Sequence, residues 1–202
     1  MLRILILLFV FPATALAQVS IKGEIWELGR TSPCNWYFEG SMACMEIEIF
    51  DDNRTTTARL IMNADTRMLT IVTDNQGMVT HYVYPADSIH AVGDVPEFSA
   101  TGGTVDVDGQ SCQKFQARTH THEHLVVMNP ALAVNLSRFK PFLKDDLIFR
   151  WLAETGKTGF PVQSVSTTSA GELKRSWLMK SWSTDVPAAV FQIPHGSTEL
   201  KF

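Results

Sequence analysis

GFPVQSVSTTSAGELKRSWLMKSWSTDVPAAVFQIP, from Gly159 to Pro194, is the stretch whose reading decides the fold. It reads as strand, turn, strand and a short returning segment. Phe160-Pro161-Val162 opens it, Ser169-Ala170-Gly171-Glu172 turns it, Leu173 to Ser183 runs back, and Phe191-Gln192-Ile193-Pro194 closes it. Side chains alternate along a strand, so Leu173, Arg175, Trp177 and Met179 share one face. Lys174, Ser176, Leu178, Lys180 and Trp182 take the other. A strand with a large Trp and a Met on one face suits a curved sheet around an apolar interior. The earlier strands are expected to build the rest of that wall.

Those earlier runs are short, β-branched or aromatic, and separated by turn residues. Val19 to Leu28 reads as a first strand and Gly29 to Pro33 as a loop. Tyr37 to Phe50 reads as one long strand, with Met45, Ile47 and Ile49 inward and Glu46 and Glu48 outward. Thr55 to Met62 and Arg67 to Thr73 flank a tight turn at Asn63-Ala64-Asp65-Thr66. Asp74-Asn75-Gln76-Gly77 leads into Met78 to Tyr84. Asp87 to Ala100 reads as surface loop. Thr104 to Val107, the Asp108-Gly109 turn and Ser111 onward form a hairpin. The spacing argues an antiparallel meander rather than βαβ units.

Asn129 to Glu154 breaks the alternation. Asn129-Pro130 can start a helix, with Ala131, Leu132, Val134 and Leu136 on one face. Pro141 interrupts. Asp145 and Asp146 then precede Leu147, Ile148, Trp151 and Leu152 at helical spacing, and acidic residues suit a helix N-terminus. Gly156 and Gly159 end it. The expected class is therefore mainly β with short helices: a strongly curved antiparallel sheet or incomplete β-barrel covered by a helical insert near residues 130–155.

Met1 to Ala17 has the layout of a secretory signal: Arg3, an apolar run from Ile4 to Phe11, and small residues at Ala15-Leu16-Ala17. The run is too short to span a bilayer. Cleavage after Ala17 would leave one domain, residues 18–202, in the periplasm or secreted. No Cys follows the cleavage point, which argues against a lipid anchor there, and no other stretch is long and apolar enough for a membrane span. Net charge is −4, with 19% charged residues and no basic block. That argues against nucleic acid, whose phosphates need clustered Lys and Arg. Five Trp and eight Met suit either ordinary core filling or an adaptable apolar cavity. Trp26, Met45, Ile47, Trp177 and Met179 are the candidate cavity residues.

Three cysteines, Cys34, Cys44 and Cys112, allow three single pairings in an oxidising compartment. Cys34 with Cys44 is nearest in sequence, and closing that short loop would stabilise by ~3 kcal/mol in the chain-entropy model. Thr119-His120-Thr121-His122-Glu123-His124 carries the most conspicuous chemistry. On a continuous strand His120, His122 and His124 share one face, and neighbouring pairs could grip a Zn²⁺ with a further ligand from elsewhere. Gln116 and Arg118 continue the same phase, which equally describes a wet polar face. No phosphate-cradling glycine loop, H-E-x-x-H, G-x-S-x-G or Cys-x-x-Cys is present. The sequence offers no catalytic residues and no cofactor motif.

Gly103 to Phe115, with Gly109, Cys112 and Lys114 at their spacing, resembles the glycine, x, x, cysteine, x, lysine, aromatic hairpin of a family of exported bacterial proteins of unknown function. Gly159-Phe160-Pro161-Val162 resembles that family's strand start, and Phe191-Gln192-Ile193-Pro194-His195-Gly196 its F-x-I-P-x-G terminus. The family is similar in fold to the periplasmic lipoprotein carrier LolA and its outer-membrane receptor. Arg30 to Cys44 and the His-rich strand depart from its pattern. The resemblance implies a bent, incompletely closed sheet whose hollow takes acyl chains. The leading expectation is non-enzymatic binding of a lipid or lipoprotein ligand. Metal binding on the His strand, or an interaction role for a sheet edge, are the alternatives.

Overall fold

The computed structural model describes residues 18–51, 54–91 and 93–201. The expected signal, Met1 to Ala17, lies outside the described residues. Among the described residues, twelve strands form a single sheet, curved but not closed. In chain order they are β1 (Val19–Glu27), β2 (Arg30–Glu39), β3 (Met42–Asp51), β4 (Arg54–Asn63), β5 (Met68–Asn75) and β6 (Met78–Pro85). β7 (Ser99–Val107), β8 (Gln110–Arg118), β9 (His122–Asn129), β10 (Phe160–Thr168), β11 (Leu173–Ser183) and β12 (Thr198–Glu199) follow. Their spatial order is β12-β6-β5-β4-β3-β2-β1-β11-β10-β9-β8-β7. Two antiparallel meanders are thus joined where β1 pairs with β11. Among the described residues no helix is long and apolar enough to cross a membrane.

Local turn chemistry sets the meander. Leu28-Gly29 and Asp108-Gly109 both have positive φ at each residue, 52° and 80° in the first, 52° and 75° in the second. That conformation matches the twist of the strands it joins. Two expectations change in the structure. Tyr37 to Phe50 is broken at Gly40-Ser41, and Arg30 to Pro33 of the expected loop opens β2. Pro33 leaves its mark there, because it has no N–H to donate. The β2–β3 ladder runs only from Cys34, opposite Ile47.

Alternation then sorts the side chains onto two faces. In one cross-strand row Ile21, Trp36, Met45, Leu60 and Ile71 stand opposite one another in turn across β1 to β5. This inner face carries the main core. The helical insert between β9 and β10 packs its apolar side chains into the same core. Its first part is a 3-10 turn, Leu136–Phe142, six residues later than the Pro130 start expected from the sequence. The reason is local: the Asn129 side chain accepts from Ala131 N and holds a turn, and Asn135 caps the later segment. Its second part is α1 (Leu147–Thr155). Asp146 caps it through Ile148 N and Phe149 N, and Gly156 ends it at φ 65°.

The outer face has a smaller core of its own, which the sequence did not reveal. After β11 the chain crosses β3 and β4 and reaches the far edge, where β12 pairs parallel to β6. Val186, Val190 and Phe191 on this strap pack with Tyr37, Cys44, Ile61 and Val72. Arg59 ties it down by donating to the Ala189 carbonyl at 3.1 Å.

A candidate ligand-binding hollow

The hollow is built around Trp36, which is 2% exposed. Its ring lies 5.8 Å from Phe38, 4.7 Å from Phe149 of α1 and 6.0 Å from Phe160. Contacts of this length between aromatic rings add specific attraction to burial. The Trp36 Nε1–H is buried and has no hydrogen-bond partner among the described residues. Further along α1, Trp151 stacks on Phe98 at 4.3 Å and tilts against Phe115 at 5.2 Å. Phe139 of the 3-10 turn meets Phe38 at 6.0 Å. The inner face is thus filled by aromatic side chains contributed jointly by sheet and insert.

The insert is tied at its root. Gly159 N donates to the Val134 carbonyl at 3.1 Å, and Asn135 bridges to Thr158. Beyond this stem, its polar links to the other described residues are few. Arg138 donates to Gly40 O, Lys144 to Ala86 O and Ile89 O, and Arg150 to Gly93 O. Asp146 accepts from Arg175 at 2.8 Å.

That last pair sits over a polar row on the inner face. His124, Ser166, Arg175 and Glu27 are opposite one another across β9, β10, β11 and β1. His124 Nδ1 and Ser166 Oγ are 2.9 Å apart. Burial, helped by the neighbouring His122, pushes the His124 pKa below its ordinary 6.5 and favours the neutral ring. The Asp146 carboxylate, despite the cost of burial, raises the Arg175 pKa above its usual value. A cavity of about 50 Å³ remains beside this pair, lined by Ile25, Leu147, Phe149, Trp177, Ser164 and Ser166 among others. A second, open cleft of about 660 Å³ runs along β8 to β10, bounded by Glu97, Gln116, Arg118, Glu123, Leu125 and Thr167. The cation on its rim, Arg118, is already paired with Glu123. Ala117, Leu125 and Val165 also line the cleft, but Glu97, Arg118 and Glu123 bring three charges to it, so the hollow around Trp36 is the better candidate for an apolar ligand.

The structure distributes the sequence-derived candidates unevenly. Trp177 is buried in the main core, and Met45, Ile47 and Met179 pack against it. Trp177 is fixed by donating from Nε1 to the Pro161 carbonyl at 2.8 Å, beside a bulge in β10. Trp26 is a correction. It stands opposite Thr31 and Ser176, one residue out of phase with the inward Ile25, and so takes the outer face.

The other corrections concern the histidines and the cysteines. The expected continuous His strand is a tight hairpin, with β8 ending at Arg118 and β9 starting at His122. His120 sits exposed in the turn, while only His122 and His124 remain together, ring centroids 6.1 Å apart. Among the described residues no group of three or more His, Cys, Asp or Glu is placed to hold a metal ion. Cys34, Cys44 and Cys112 are all free and buried, so the expected Cys34–Cys44 disulfide is not formed. Cys34 belongs to the inner core and Cys44 to the outer one. Their β-carbons point through opposite faces of the sheet, which no disulfide can bridge without moving the backbone. Burial pushes both thiols up to about 12.

Sequence reasoning missed Arg175, Ser164, Ser166 and Asp146 as a group. Arg175 was legible as sharing the Trp177 face, and Asp146 as a helix start. Their meeting depends on how the insert folds back.

The family model of a domain of unknown function (DUF4412) matches residues 24–197. No curated protein matches the chain in sequence. Among solved structures, the chain is similar to an uncharacterized conserved protein from Thermus thermophilus. Identity there is 8% and the TM-score 0.51, over 92% of this chain and 90% of that one. A likeness to PNGF-II has 14% identity and a TM-score of 0.48, over 91% of this chain and 31% of that one. The chain thus spans about a third of the PNGF-II chain's length. A likeness to MucB has 10% identity and a TM-score of 0.39, over 90% and 58%. The Thermus protein bears on the fold alone.

Proposed function

We propose, from the premise that this chain belongs to the DUF4412 family of domains of unknown function, that it is a non-enzymatic protein of the cell envelope which holds a lipid or other apolar ligand in the space its helical insert now fills. The observation that carries this reading is the way the insert is held. It is closed at its own stem and meets the sheet through apolar side chains and a few polar links, while the sheet's ladders are complete without it. A segment so attached can leave without breaking strand pairing.

The magnitudes fit a displacement rather than a ready cavity. Ligand pockets occupy about 300–1,000 Å³, whereas the space beside α1 is about 50 Å³. A ligand must therefore replace aromatic contacts with its own. Each buried methylene contributes about 0.8 kcal/mol, so a long acyl chain can offset the loss of several ring contacts. Apparent affinity is lowered by the fraction of molecules with the insert displaced. The signal-like start and the resemblance to lipoprotein carriers support a role in the envelope.

The test is direct. The mature chain, purified from its own host, is extracted with organic solvent and the extract analysed by mass spectrometry, then the stripped protein is titrated with a fluorescent fatty acid. Co-purifying lipid and saturable binding are expected. A clean extract together with no saturable binding would remove this function.

A further inference from the structure

We propose that Arg175, with the hydroxyls of Ser164 and Ser166, forms a subsite for the carboxylate head of a single-chain amphiphile, a subsite that Asp146 fills in the ligand-free protein. The inference rests on the hollow being a ligand site and names the class of ligand it takes.

Three observations converge. The first is the placement of a cation on an apolar wall. Arg175 lies on the inner face, two residues from the buried Trp177, and opens onto the cavity lined by Ile25, Leu147, Phe149 and Trp177. A guanidinium presents a planar fork that matches a carboxylate with two parallel hydrogen bonds. The second is a hydroxyl beside that cation. Ser164 is 8% exposed, lines the same cavity, and its hydroxyl makes no side-chain hydrogen bond among the described residues. That hydroxyl is placed to donate to a ligand oxygen entering the cavity. In the tautomer in which His124 Nδ1–H donates to Ser166 Oγ, the serine keeps its own hydrogen for the cavity.

The third observation is the occupant. One oxygen of Asp146 caps α1, and the other accepts from Arg175 at 2.8 Å. Asp146 thus shows that a carboxylate fits at Arg175, and it comes from the segment that a ligand would have to displace. A fatty carboxylate bound there directs its first methylenes past Trp177 toward Phe160, whose ring lies 6.1 Å from Trp177. Glu27, opposite Arg175 on β1, is exposed and stays in place on either occupant. The head-group exchange leaves Arg175 paired throughout, so no buried cation is left uncompensated.

The test uses palmitate and 1-hexadecanol as probes of equal chain length, titrated against the stripped mature chain by tryptophan fluorescence. The native protein is expected to bind palmitate at least about tenfold more tightly than the alcohol. Arg175→Gln is expected to abolish that preference, so that the two probes bind alike. Asp146→Asn keeps a capping side chain but removes the competing charge, and is expected to tighten palmitate binding several-fold more than that of the alcohol. If the native protein binds both probes equally, the head-group subsite is overturned and the hollow stands. If it binds neither, the hollow itself fails as a ligand site and the subsite with it. Should Arg175→Gln not fold, Asp146→Asn alone decides: no gain for palmitate over the alcohol overturns the proposal.

Discussion

His124 illustrates how much a single position depends on its surroundings. It is 9% exposed, faces Phe98 at 6.1 Å, and has a serine hydroxyl as partner. Its pKa is lowered from 6.5, chiefly by burial. An unfolded chain takes up a proton near pH 6.5, whereas the folded chain resists it to a lower pH. The contribution of this neutral ring is therefore complete above about pH 6.5, and it is lost as pH falls from there to the folded-state value, below which the loss levels off. Urea unfolding is expected to show a lower midpoint at pH 5.5 than at pH 7.5. His124→Gln, which cannot titrate, is expected to flatten that difference. A variant that keeps the whole difference would assign the acid sensitivity to other groups. None of this was legible in the run of alternating histidines. Alternation puts His122 and His124 on one face, but only the turn at Thr119 to Thr121 decides which face is buried.

Strands show the same division between what a pattern carries and what it does not. Hydrophobic alternation located nearly every run, and Asp-Gly at 108–109 marked its turn. Gly40-Ser41 went unread because apolar residues continue on both sides of it. The α1 boundaries were legible because capping chemistry is local: a carboxylate before Leu147 and a glycine after Thr155. The β1–β11 register was not legible, since it joins residues far apart in sequence and includes a bulge at Lys22/Gly23. Packing at that bulge leaves no room for a side chain. A β-carbon on Gly23 would stand 2.4 Å from Trp177 Cη2 and 2.7 Å from the Leu178 carbonyl oxygen. Gly23→Ala must then push Trp177 out of its seat or separate the strands, at a cost of about 1–3 kcal/mol. Equilibrium unfolding should show that loss, with a red-shifted tryptophan emission in the folded baseline. Gly103→Ala is the control, because nothing lies within 4 Å of its added carbon and the variant should unfold like the native chain. Equal midpoints for Gly23→Ala and the native chain would mean that β1 and β11 are not packed at this register.

The assembly of the molecule rests on one long sheet with a core on each side, and the two cores differ in how they are closed. The insert packs apolar side chains into the inner one, and the strap between β11 and β12 packs its own into the outer one. A curved sheet with a greasy inner face was legible from Trp177 and Met179 sharing a phase with Leu173. The outer core was not, because Tyr37, Cys44, Ile61 and Val72 become neighbours only once four strands are in register. The F-x-I-P-x-G terminus acquires a physical role here, as Phe191 packs against that outer cluster and Gly196 turns the chain at φ 79° toward β12. Two buried thiols report on the two cores separately. Cys34 lies in the inner one and Cys44 in the outer one, both 0% exposed and both pushed up to about 12 by burial. Neither reacts with an alkylating reagent until its own side opens. Truncating Val190 and Phe191 together to Ala removes the apolar anchors of the strap, a loss of several kcal/mol at about 1–5 per truncated side chain. If the strap is an independent cover, local opening on that side becomes at least about tenfold more frequent. Iodoacetamide should then modify Cys44 correspondingly faster, read by mass spectrometry of the peptides, while Cys34 keeps its native rate. Equal acceleration at both thiols would instead mean that the strap is part of a single cooperative unit with the inner core, because only global unfolding exposes the two faces together.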